Sequence, residues 1–251
     1  MRSAADAAPS FLYLPRLAEA PEAFELAAED ARYVARIVRA KPGERLSASD
    51  GAGLVAELSL EAVRPDVVVR VLRRDRLPAP PARVLLCGAP EGERGDWLVE
   101  KCAELGVTRL VPVHSERARW PEGARIERWQ RLAVAALRQS CAARLMAIVP
   151  PVALHDAVAA LPEGTRWLAA QEGEGALAVR APAAGAIAGA VGPASGFSEG
   201  EQRSLTENAF LPVSLGSARL RTETAALAMA ALWAAQSAAG PGRLDAPGPR
   251  P

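Results

Sequence analysis

Over the first third of the chain the apolar positions fall in short, loosely alternating runs, and beyond it they recur with helical spacing between brief apolar stretches. The runs at 11–14, 45–49, 54–60 and 66–72 carry the alternation expected of half-buried strands. Asp50-Gly51 supplies the positive-φ turn chemistry of a hairpin between two of them. One helix is predicted over 29–39, with Lys41-Pro42-Gly43 as its stop. Together these predict a small β-barrel over 1–76, closed so that no strand edge is left bare, with a frayed end over 1–10. Residues 77–82 are proline-rich and read as a stiff linker.

From 83 to 239 strands and helices alternate, which predicts an α/β domain on a mainly parallel sheet. Strands are expected at 83–87, 108–113, 146–149 and 166–171. A helix over 97–105 has Asp96 as its cap and Gly106 as its end, and a second over 127–140 buries Trp129, Leu132 and Ala136. Later, a glycine-rich strand end at 188–197 runs into Ser198 and Glu201, a capping box. A short strand at 210–213 then passes through Gly216 to Thr222 or Thr224, either of which can cap the last helix, 225–239. That helix is apolar on nearly every face and so calls for a second subunit to cover it. The tail 240–251 is rich in proline and glycine and reads as disordered.

The two strand–turn–helix junctions, at Gly192 and Gly216, should project from one edge of the sheet, where open α/β folds bind ligands. Ordinary connections between strand and helix would look the same. Neither a P-loop nor a GxGxxG turn is present, and Gly88-Ala89-Pro90-Glu91-Gly92 is a poor substitute. A nucleotide-like ligand is therefore expected late in the chain.

Of the 251 residues 50% are apolar and 24% charged, and a net charge of +1 neither demands nor excludes a nucleic-acid partner. Local clustering says more. Arg32, Arg36 and Arg39 share a helical face, and Lys41 follows them. They fit a track for RNA phosphates, or a solvated face balanced by Glu29, Asp30 and Glu44. Cys87, Cys102 and Cys141 lack metal spacing and read as reduced core residues of a cytoplasmic protein. His114 and His155 lie far apart, against a histidine metal site or a catalytic triad. No signal peptide or membrane span is visible in the sequence.

A set of motifs adds to this. Glu100-Lys101-Cys102-Ala103-Glu104-Leu105-Gly106-Val107, Ser115-Glu116-Arg117, Arg128-Trp129-Gln130-Arg131 and Gln139-Ser140 come first. Gly192-Pro193, Gly196-Phe197-Ser198, Leu215-Gly216 and Leu220-Arg221-Thr222-Glu223-Thr224-Ala225 follow, and the first domain adds Val34-Ala35-Arg36-Ile37-Val38-Arg39. In this order they resemble the bacterial 16S rRNA uracil-N3 methyltransferase family, within the SPOUT superfamily of knotted methyltransferases. The resemblance implies a PUA-like β-barrel that helps hold RNA, and an α/β domain with a trefoil knot that forms a homodimer. It implies S-adenosylmethionine as cofactor, bent among three loops. These map to Ala170 and Gln171, to Val191, Gly192, Pro193 and Gly196, and to Ser214, Leu215, Gly216, Leu220 and Thr222. The substrate implied is 16S rRNA of the small ribosomal subunit, with Arg117 joining the RNA contacts. Arg221 is the candidate to stabilise charge on the base, with Glu223 orienting it or sharing in proton transfer; alternatively the two merely pair and cap the helix.

Departures from the family cluster on the RNA side. Ala194-Ser195 stands where Glu-Gly is usual, Arg138 where Glu is usual, and Cys141-Ala142 where Gly-Arg is usual. Ser10 and the stretch near Glu91 lack basic residues usual there. A rival reading is thus a divergent RNA-binding or ribosome-assembly homologue with an altered target or lost catalysis, and another is a small-molecule α/β enzyme.

Overall fold

The computed structural model describes residues 11–121, 123, 125–170, 174–175 and 185–236. They fall into two compact units: 11–79 together with 137–145, and 80–136 together with 146–236.

The first unit is built on β1 (Phe11–Tyr13), β2 (Ala23–Glu25), β3 (Arg45–Ser49), β4 (Leu54–Ala62) and β5 (Val68–Arg76). Their order in the sheet is β1-β3-β4-β5-β2, and β1 and β2 do not pair, so the sheet stays open. This corrects the expected closed barrel. Edge strands of three residues each expose little unpaired backbone, so there is little edge to remove by closure. Leu12, Leu46, Leu58, Leu60 and Val69 form the core together with Val34. Asp50 makes the expected turn, its carboxylate accepting from the N–H groups of Ala52 and Leu54 while Gly51 takes φ +74°.

The predicted helix splits into α1 (Ala28–Arg32) and a π-helical turn, Tyr33–Val38, which Arg39 ends in the left-handed conformation. Residues 137–145 close this unit. The Arg138 guanidinium pairs with the buried Asp30 at 2.8 Å and lies over the Tyr33 ring. Burial pushes the Asp30 carboxyl up, and Arg138 opposes the shift. Asp30 is therefore not a counter-charge for Arg32, Arg36 and Arg39, which all stand exposed with Lys41. Cys141 has φ +54°, a conformation that glycine adopts without strain and a side chain does not.

The second unit holds β6 (Arg83–Cys87), α2 (Gly95–Glu104), β7 (Arg109–His114), α3 (Ile126–Ser140, whose last turn clusters with the first unit), β8 (Ala147–Ile148), β9 (Val152–Ala153) and α4 (Leu154–Ala159). Then come β10 (Gly164–Ala170), β11 (Glu174–Gly175), β12 (Ala186–Val191), α5 (Glu199–Glu207), β13 (Phe210–Ser214) and α6 (Thr222–Gln236). The sheet runs β11-β13-β10-β12-β6-β7-β8, with every pairing parallel. The chain thus returns after β10 to insert β12 between β10 and β6, and then places β13 outside β10. Asp96 is not the cap of α2; it lies in the first turn, where its carboxylate accepts from Trp129 Nε1 at 3.0 Å and pairs with Arg128. Gly106, at φ +76°, ends the helix as expected.

The small residues of β12 have a packing cause. A Cβ on Gly189 would stand 2.1 Å from Met229 Sδ and 2.7 Å from the Trp233 ring, so α6 lies directly on this strand. Trp233 packs beside Trp167, both almost fully buried. α6 thus buries one stripe, Ala226, Met229, Ala230 and Trp233, while Leu227, Ala228 and Leu232 are only half-buried.

Candidate active site

β10, β12 and β13 are neighbours and parallel, so the loops after β12 and β13 leave the same edge of the sheet. After Val191 the chain turns at Gly192-Pro193. There the Gly88 N–H donates to the Val191 carbonyl at 2.8 Å, and a Cβ on Gly88 would lie 2.4 Å from the Pro193 nitrogen. The β6 exit is therefore locked against the first glycine loop. Gly196 closes that loop at φ +72°, and the Ser198–Glu201 capping box starts α5. The second carboxylate oxygen of Glu201 accepts the Glu116 N–H at 2.9 Å, which ties in the 115–117 turn.

After Ser214 the hydroxyl of that residue donates to the Gly216 carbonyl at 3.2 Å. The two glycine loops are stitched together twice. The Thr222 hydroxyl donates to the Gly192 carbonyl at 3.0 Å, and the Arg219 guanidinium donates to the Ala194 carbonyl at 2.9 Å. Thr222, one of the two residues expected to cap the last helix, serves as this cross-link.

A cleft of about 1100 Å³ opens between the loops. Of the predicted cofactor residues, Ala170, Val191, Gly192, Pro193, Gly196, Leu215, Gly216, Leu220 and Thr222 line it, and Arg117 joins them. Ser214 stands behind the lining, and Gln171 lies outside the described residues. Nothing lies within 4 Å of where a Cβ on Gly216 or Gly196 would point. Those glycines leave open space that side chains would fill, as a backbone cradle for a bulky ligand requires.

The expected pairing of Arg221 with Glu223 is not made. Glu223 is 5% exposed and binds Arg94, at 2.7 Å, from the turn before α2. A carboxylate enclosed at the start of α6 takes the cation nearest to it in space, and the fold brings Arg94 there. Arg221 is exposed, makes no side-chain hydrogen bond or ion pair among the described residues, and is not part of the cleft wall. Sequence reading missed Arg94, because the glycines around it were weighed only as a phosphate-loop imitation. It also missed Arg219 and the α5 face of Glu199, Gln202, Arg203 and Thr206, which lines the cleft.

Beneath the site Cys87 and Cys102 are buried. Burial pushes the Cys87 thiol well above its usual range, with Cys102 and Glu223 adding to it, and raises Cys102 to about 12. His114 is shifted down by burial and by Arg119. Among the described residues no group of three or more metal-ligating side chains occurs, and no helix is long and apolar enough to cross a membrane.

The fold and cleft define a parallel α/β domain with a nucleotide-sized site late in the chain. Residues 78–234 match the model of the RNA methyltransferase domain family. The ribosomal RNA small subunit methyltransferase E of Mycobacterium bovis is 32% identical over 216 residues, 77% of this chain and 79% of the relative. The crystal structure of a ribosomal RNA small subunit methyltransferase E from Neisseria gonorrhoeae, bound to S-adenosyl methionine, has a TM-score of 0.78 at 29% identity, covering 88% of this chain and 94% of that one. A putative methyltransferase from Legionella pneumophila, in complex with the same cofactor, has a TM-score of 0.77 at 26% identity, covering 91% and 98%. The chain belongs to this RNA methyltransferase family.

Proposed function

We propose that the chain is an S-adenosylmethionine-dependent methyltransferase that methylates N3 of a uridine in 16S rRNA of the small ribosomal subunit. The observation that carries this reading is the cross-linked pair of glycine loops around an open cradle, in a chain whose relatives are named for methylation of that RNA. The cofactor would supply an electrophilic methyl group on a sulfonium. Leu215, Gly216 and Leu220 on one side and Val191 to Pro193 on the other would hold it, with backbone N–H and C=O groups for its polar edges. Orienting two reactants in this way is worth up to roughly 7–11 kcal/mol of the barrier.

Attack by N3 requires loss of its proton, and Arg221, which stands outside the cleft wall, is proposed to reach the base and stabilise the resulting anion once RNA is bound. Its guanidinium forms no ion pair among the described residues and sits just ahead of α6, where the helix dipole disfavours a cation by about 0.3–1 kcal/mol. Glu223 acts through Arg94 to fix the start of α6, and with it Thr222 and the first glycine loop.

The remaining parts of the reading follow from the family. The return of the chain through β12 and β13 is the part proposed to be knotted. The half-covered apolar face of α6, with Trp97 47% exposed on the packed helix α2, is proposed to be buried in a homodimer. The first unit is proposed as a PUA-like module, with an open sheet, that holds RNA through Arg32, Arg36, Arg39 and Lys41. The cytoplasm, where ribosomes are assembled, is the proposed location.

Calorimetry with S-adenosylmethionine tests the cleft. The chain should bind it, and Gly216→Val, which fills the cradle, should not while remaining folded. Equal binding by both would overturn the assignment. A non-catalytic RNA-binding homologue would bind RNA, with or without the cofactor, and leave it unmethylated.

A further inference from the structure

The cleft of about 1100 Å³ is at the top of the roughly 300–1,000 Å³ typical of small-molecule sites, and it is open at its rim. On its rim two arginines from distant segments meet one loop. Arg117 donates to the Ser195 carbonyl at 3.0 Å, and Arg219 donates to the adjacent Ala194 carbonyl at 2.9 Å. Each commits one of five donors, and among the described residues neither guanidinium forms an ion pair. Both are exposed, and both belong to the cleft lining.

The other charged groups of that lining are on α5, namely Glu199, Arg203 and Glu207. The wall therefore holds three cations and two anions, with two of the cations brought together on neighbouring carbonyls. Ala194 and Ser195 are small, so no long side chain of their own blocks the forks. The carbonyl bonds fix where the forks sit before any ligand arrives.

We propose that Arg117 and Arg219 form a phosphate subsite on the rim of the cleft, which grips an RNA phosphate beside the target nucleotide. The proposal rests on the methyltransferase reading given above. A guanidinium fork matches the two free oxygens of a phosphodiester, which carries no compensating cation. The cofactor's carboxylate is the other anion available. That molecule also carries a sulfonium and an ammonium, which two neighbouring guanidinium groups would repel. The subsite would thus hold the backbone still while the base enters the cleft, out of any stack.

The test compares the wild type with Arg117→Gln, Arg219→Gln, the double variant and the corresponding Lys variants. Glutamine removes both the charge and the fork, and lysine removes the fork but keeps the charge, so the two sets separate charge from geometry. Affinity for an unmodified 16S rRNA transcript is measured by anisotropy over a range of salt, and cofactor affinity by calorimetry. One lost phosphate contact should reduce the slope of log affinity against log salt by about 0.7–0.9 in the double glutamine variant. The Lys variants should retain the slope while losing part of the RNA affinity, and cofactor affinity should be the same in the Gln as in the Lys variants. A merely structural role for the two arginines would leave the slope as it is. An unchanged slope overturns the subsite, as does a loss of cofactor affinity in the Gln variants that the Lys variants do not share, which would assign the anion to the cofactor's carboxylate. A wild type that methylates RNA alongside variants of unchanged slope would sink the subsite alone. A wild type that does not bind the transcript would sink the subsite and the functional reading together.

Discussion

Replacing Arg94 by methionine removes the one cation that, among the described residues, pairs with the enclosed carboxylate of Glu223. Breaking a fully buried pair costs about 3–5 kcal/mol. The Arg94 side chain is 40% exposed, so water already screens part of this attraction, and the freed carboxylate regains some water through the vacated space. The loss should therefore be about 2 kcal/mol, within the range of about 1.5–3 for a hydrogen bond to a charged group. At about 1.4 kcal/mol per tenfold, the folding constant falls roughly 30-fold. Glu223→Gln in the same background removes the stranded charge, so the double variant should recover to within about 0.5 kcal/mol of the wild type. Urea unfolding followed by tryptophan fluorescence is the assay. All 5 tryptophans lie in the second unit, so the signal reports on the domain that holds the pair. A loss below about 0.5 kcal/mol in Arg94→Met, with no coupling to Glu223→Gln, would refute the claim that this pair fixes the start of α6.

Arg221→Ala should lower kcat by about 100–1,000-fold, as loss of a transition-state donor does, without lowering the melting temperature; full turnover would disqualify the residue. Gly189→Ala should destabilise the second unit by about 1–3 kcal/mol, because the added methyl meets Met229 and Trp233, and a neutral effect in urea would contradict that packing. In native protein at pH 8 a thiol reagent should label Cys141 alone, since burial holds the thiols of Cys87 and Cys102 protonated; in denaturant all 3 cysteines should react.

Much of the second unit was legible because its signals are local. The capping box at Ser198 and Glu201 and Gly106 after α2 each act within a few residues and lie where they were expected. The last helix, expected over 225–239, starts three residues earlier at Thr222 and is described to Gln236. The location of the cleft was legible for a related reason: parallel strands put consecutive turns on one edge. What failed depends on partners distant in sequence. Arg94 lies 129 residues from Glu223, and no periodicity connects them. Thr222 has the chemistry of a cap, but Gly192, 30 residues away, offered its hydroxyl a carbonyl. The closed barrel was inferred from a run of short strands whose edges would need hiding, although strand length decides how much edge there is to hide. Strands β2 and β9 and helix α4, the longest of them six residues, were missed because so few positions carry no readable period.

Nucleoside mass spectrometry of 16S rRNA tests the central claim most directly. Unmethylated transcript or small subunits would be incubated with the purified chain and S-adenosylmethionine, with Gly216→Val as the cofactor-blind control. The account predicts 3-methyluridine in the wild-type reaction and none in the control. Cofactor binding without any 3-methyluridine, on either free RNA or assembled subunits, would contradict it.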